Sequence, residues 1–220
     1  MNDMERLSDA ATAVSRKIRT VGVNGAGPWQ GSIPVAEEHL RHHRGVEAAI
    51  GRLIATHVRV TAATGFASNV GGLVTLPLSI PADAASLWML QARLAGSIAH
   101  LRGYEVHSEE VQSIILLSLI GSAGAEALKE AGVKVGQKGA ISLINKVPGK
   151  ALLEINRRVG FRLITRAGST GVVNLTKFVP LAGGVVGGTV NGVSTKAVGG
   201  WAKRNFPAAE TVTDSVALQD

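Results

Sequence analysis

The chain has 220 residues, of which 45% are hydrophobic but only 4% aromatic, with 27 glycines and no cysteine. That length suits one domain able to bury its own core, and the missing cysteine excludes disulfides, thiolate metal sites and cysteine nucleophiles. A formal net charge of +7 favours anionic partners.

The opening MNDMERLSDA is polar and acidic. It lacks the basic-then-apolar order of a secretory leader, so a reducing cytoplasm is the natural reading. Residues 4–19 fit one helix, with Leu7, Ala11, Val14 and Ile18 on one face. GVNGAGPWQGSIP then breaks any regular element. Residues 1–33 therefore read as an N-terminal arm, partly flexible, that packs on the domain or frays.

Ser32 and Pro34 have the chemistry of a helix start, and Glu37 and Glu38 would sit in the first turn. The spacing predicts a helix to about residue 60, with Ile50, Leu53, Ile54 and Val58 buried. From 60 to 82 no residue is charged. The stretch is long enough to reach across a bilayer core, but Gly71, Gly72, Pro77 and Pro81 break it into an apolar hairpin or two short helices. Residues 83–101 then predict a helix on the period of Ala84, Leu87, Trp88, Gln91, Leu94, Ala95, Ile98 and Leu101. Gly103 ends it.

Ser108, followed by Glu109 and Glu110, opens the next helix as a cap. This helix is uncharged over 111–125 and apolar nearly all round, which makes it the central core helix or a membrane-inserted one; Gly132 closes it. Pro148 begins a helix whose apolar stripe is Leu152, Ile155, Val159 and Leu163. Glu154, Arg158, Arg162 and Arg166 recur every four residues on another face. A second uncharged segment, 178–195, lies between Lys177 and Lys196. No strand pattern is evident. The expected fold is all-α: a single glycine-rich helical bundle with apolar hairpin segments over 34–206, and a flexible tail at 207–220.

The charge is unevenly placed. Between 133 and 206 stand twelve basic residues (Lys134, Lys138, Lys146, Lys150, Arg157, Arg158, Arg162, Arg166, Lys177, Lys196, Lys203 and Arg204) against a single acid, Glu154. The helix carrying Arg157, Arg158, Arg162 and Arg166 could lie on anionic lipid with its apolar stripe down; equally, it could be a core helix with a solvated charged face. Gly184, Gly188 and Gly192 are spaced four apart and form a bare helical groove for a second helix. Close packing in a bundle and a membrane hairpin both accommodate that pattern. Nucleic acid fits poorly, because no aromatic residues interleave with the basic ones and no recognised binding motif is present.

Other constellations read as structural. His39 and His43 share a helix face with His42 beside them, but no partnering acid motif makes them metal ligands. His57 reads as a hydrogen-bonded core histidine. GVNGAGP lacks the Lys-Ser/Thr of a phosphate loop, and Ser122 is not in a nucleophile elbow. No catalytic, cofactor or metal site is expected.

Three runs taken together, GGLVTLPLSIPADAASLWMLQARLAGSIAHLRGYEV, INRRVGFRLITRAG and FVPLAGGVVGGTVNGVSTKAVGGWAKRNF, resemble the EcsC family of bacterial proteins over roughly 45–206. The resemblance implies a helical fold. It transfers no catalytic residue. The family is named after a protein encoded beside an ABC transporter. The resulting expectation is a non-enzymatic protein peripheral to the inner face of the cell membrane, accessory to transport or envelope upkeep. Its contacts would be Arg157, Arg158, Arg162, Arg166, Lys177, Gly184, Gly188, Gly192 and Lys196. Its partner would be anionic membrane lipid or a helical protein, a second copy included. The alternative is a soluble helical module that takes a lipid or a protein in an apolar groove.

Overall fold

The computed structural model describes residues 3–64, 82–121, 123–130, 147–174 and 180–208, and over these the chain is all-α. In chain order the described helices are α1 (Asp3–Ile18), α2 (Ser32–His42), α3 (Val46–Thr64), α4 (Ala82–Leu101), α5 (Glu109–Leu119), α6 (Ala123–Glu130), α7 (Gly149–Asn174) and α8 (Pro180–Asn205). A π-helical turn, Arg19–Asn24, follows α1. It leads into a hairpin of two-residue strands, β1 (Gly25–Ala26) and β2 (Trp29–Gln30), that no sequence pattern announced.

Most of the apolar stripes land where their periods put them, although Leu7, Ile54, Val58, Ala84 and Leu87 are only half-buried. Ala11, Val14 and Ile18 of α1 are fully buried, as are Ile50 and Leu53 of α3, Leu94, Ala95 and Ile98 of α4, and Ile155, Val159 and Leu163 of α7. Ser108 caps α5 by accepting a hydrogen bond from the Val111 amide at 3.3 Å. From Ser113 to Leu119 every residue of α5 is buried. The hydroxyls of Ser113 and Ser118 are absorbed by the carbonyls of Glu109 (2.8 Å) and Ile115 (2.6 Å), so an all-round buried helix costs no unpaired polar group.

Two expected helices are each divided in the structure. The one predicted from 34 to 60 breaks at His43, whose backbone is extended, and Gly45, which has φ +87°. A left-handed residue cannot continue a right-handed helix, and glycine adopts that conformation without a Cβ clash. Ser32 is the first helical residue and not the cap; its hydroxyl instead donates to the Val23 carbonyl at 2.9 Å. The helix predicted beyond 111 stops at Leu119, where Gly121 takes φ +62° and α6 begins two residues on. The proposed stop at Gly132 lies outside the described residues, as do 65–81 of the first apolar segment and 209–220 of the tail.

Residues of the expected arm belong to the common core. Val14, Ile18 and Val23 join Leu94, Ile114, Leu163 and Trp201 in one cluster. The chain packs α1 along α7 so closely that a Cβ on Gly160 would strike the Ala11 carbonyl, and Ser15 Oγ donates to the Asn156 carbonyl at 2.7 Å.

Candidate functional site

The arginines of α7 do not stand alone. Glu154 receives Arg157 through two 2.8 Å contacts and Arg158 through a third. From α6, Glu130 meets Arg158 at 3.3 Å and Arg162 at 3.5 Å, while Glu126 reaches Arg162 at 3.7 Å. Arg162 also donates to the Ala123 carbonyl at 2.6 Å. Burial alone would push the Glu154 carboxyl up; the hydrogen bonds from Arg158 and Arg157, with their charges, overcome this and hold it below its ordinary value. Three of the four α7 arginines thus face three glutamates. Glu126 and Glu130 precede the basic stretch in sequence, and only the packing of α6 on α7 brings them to it. Glu130, Glu154, Arg157, Arg158 and Arg162, with Leu7, Ala11 and Phe161, line a groove of about 400 Å³. Arg166, further along α7, is exposed.

On α8, Gly188 and Gly192 are buried. A Cβ on Gly192 would stand 3.6 Å from both Val58 and Ala62, and one on Gly199 would meet Ile54 at 2.8 Å, so α8 runs antiparallel to α3. Gly184 lies in the first turns of the same helix, Lys196 is exposed, and Lys177 is outside the described residues.

The α3–α4–α8 layer has a defined polarity. Arg93 of α4 donates to His57 of α3, and Gln91 donates to Ser194 (3.0 Å) and Thr195 (3.2 Å) of α8. At the opposite end Arg102 pairs with Glu47, and Tyr104 packs on Phe206 and bonds the Pro207 carbonyl. The end of α3, the start of α4 and the start of α8 are therefore at one end of the bundle. No Asp, Glu, Lys or Arg occurs in 60–82, 167–176 or 178–195, so the last turn of α3 and the first turns of α8 are without charge, while the first turn of α4 carries Asp83. By the α3–α8 register Val60 stands level with Val193. Val60, Val190 and Val193 are 38%, 57% and 64% exposed. Immediately behind them come the exposed Arg59 and Lys196.

Four of the six histidines are occupied by backbone. His39, His42 and His43 each place Nδ1 on the carbonyl four residues earlier, at 2.7–2.8 Å. His57, 2% exposed, does the same with Leu53 at 3.0 Å. No group of three metal-ligating side chains occurs among the described residues, and none of their helices is long and apolar enough to cross a membrane. No family model, curated protein or solved structure matches the chain, so the EcsC resemblance rests on the quoted segments.

Proposed function

We propose that this is a non-enzymatic protein of the EcsC type that rests on the inner face of a cell membrane, with the uncharged helix ends of α3 and α8 against anionic lipid. One observation carries the reading: uncharged helix ends, exposed valines and a cationic rim are stacked in that order along α3 and α8. Apolar side chains gain by leaving water, and each cation close to an anionic surface adds about 1 kcal/mol. Arg59 and Lys196 are the cations so placed. Arg157, Arg158 and Arg162, whose charges meet glutamates, contribute less. The contact is shallow, because a glycine-rich segment interrupted by Pro180 makes a poor single span.

Sedimentation with vesicles tests this. The wild type should pellet with phosphatidylcholine vesicles containing phosphatidylglycerol, and less so as salt rises. Failure to pellet at low salt removes the reading. The groove of about 400 Å³ in which Leu7, Ala11 and Phe161 lie beside Glu130, Glu154, Arg157, Arg158 and Arg162 supports the second reading, a soluble module, in the form of one that takes an amphipathic lipid or a helical partner. A Phe161→Ala variant that loses such a ligand, in a protein indifferent to vesicles, would favour it.

A further inference from the structure

We infer that Arg93, set between α3 and the β1–β2 hairpin, is the anchor of a binding site for a phosphate-type oxyanion. Its guanidinium is held by three neutral groups. Nε donates to Nε2 of His57 at 3.3 Å, Nη1 reaches the Gln30 carbonyl at 3.5 Å, and the charge lies 5.1 Å from the centroid of the Trp29 ring. Each contact orients the fork and none neutralises it. Arg102, Arg157, Arg158 and Arg162 all meet carboxylates. Among the described residues no carboxylate reaches Arg93 and no acid offsets the downward pull of burial on it. The stretch 60–82 that leads into α4 has no acid to offer.

The state of His57 follows from the same geometry. Its Nδ1–H donates to Leu53, which leaves Nε2 as an acceptor for Arg93. Burial first, then the Arg93 charge, keep it neutral. The other charged or titratable group acting on it is His39 of α2, again a base. Donors exceed acceptors here in a second respect: the Trp29 indole N–H is enclosed without a partner among the described residues.

A guanidinium has five N–H donors. After the bonds to His57 and Gln30, those of Nη2 and one of Nη1 have no acceptor among the described residues, and the Nη1 contact lies at the exposed edge of the site. A phosphate oxygen pair matches that fork, and bidentate charge-assisted bonds are the strong kind. The oxyanion can belong to a soluble phosphate compound or to a lipid headgroup. The site does not depend on the membrane reading.

The test is an NMR titration of the full chain with inorganic phosphate. It follows the Arg93 Nε–H and the Trp29 indole N–H, with the exposed Arg52 as internal reference. A saturable shift at Arg93 and Trp29, absent at Arg52, is expected. Arg93→Gln should weaken binding about tenfold or more, and Arg93→Lys should recover only part, since it restores charge without the fork. If Arg93→Gln does not fold, Trp29→Phe serves instead. It keeps the ring face under the guanidinium but removes the unpartnered indole donor, and should weaken phosphate binding. Vesicle sedimentation separates the sources: weaker pelleting of Arg93→Gln with phosphatidylglycerol identifies a lipid phosphate, and unchanged pelleting beside lost phosphate binding identifies a soluble one. A wild-type titration in which Arg93 shifts no more than Arg52 overturns the site, whether or not the protein pellets with vesicles.

Discussion

His57 and Arg93 meet across the α3–α4 interface with 3.3 Å between Nε2 and Nε, a neutral imidazole accepting from a guanidinium. Burial, reinforced by that positive charge, lowers the His57 pKa from its ordinary 6.5 to about 4. Below pH 6.5 the unfolded chain takes up a proton that the folded chain refuses, so stability falls as pH drops from 6.5 and levels off near 4. The loss over that window is about 3 kcal/mol. Denaturant midpoints measured from pH 7 to 4.5 should show it in the wild type. His57→Gln, which still offers Arg93 an acceptor, should flatten the profile; parallel profiles would mean that His57 titrates normally.

Glycine substitutions should divide by contact and not by motif. Gly160→Ala would drive a methyl into the Ala11 carbonyl and towards Ser15 Oγ. Separating α1 from α7 should cost about 1–3 kcal/mol. Gly192→Ala meets Val58 and Ala62 only at 3.6 Å and gains up to about 1 kcal/mol of helix propensity. It should be neutral or stabilising in a thermal melt. A large loss at Gly192 with tolerance at Gly160 would invert the packing described.

Charge reversal on α7 should act on the fold. Arg158→Glu with Arg162→Glu would set like charges beside Glu154, Glu130 and Glu126, and the melting temperature should drop. Glu130→Gln alone, with its partly exposed pairs, should cost no more than about 1 kcal/mol. If α7 is not the lipid contact, Glu130→Gln should leave vesicle pelleting unchanged, whereas Arg59→Glu with Lys196→Glu should weaken it. Stronger pelleting of Glu130→Gln would move the contact back to α7.

Val193, 64% exposed on α8, separates apolar contact from charge. Val193→Asp should leave the melt within about 0.5 kcal/mol of wild type and still reduce pelleting at high salt, where cations are screened. No change in pelleting would remove α8 from the lipid contact.

Amide exchange should be slowest in α5. Ile114, Ile115, Leu116 and Leu117 are all fully buried, and such helices open only with the whole domain. Ile115→Ala should cost about 2–5 kcal/mol. Fast exchange at these amides in the native protein would contradict their central position.

Residue order by itself determined α1, α4 and α7 and the start of α5, because a 3.6-residue period and the Ser108 cap are local properties. It also determined that no charge occurs in 60–82 or 178–195. It did not foresee the breaks at Gly45 and Gly121, since a glycine inside an apolar pattern reads equally as helix or turn until packing selects its φ. Only the tertiary structure decided which cations are free to act. Glu126 and Glu130 lie outside the basic stretch, yet α6 carries them to Arg158 and Arg162; Arg93, inconspicuous within a periodic helix, is left among neutral groups. Charge along a chain sums without regard to distance, whereas the interaction that matters falls off over a few ångströms, so the fold and not the count sets the electrostatics of each face.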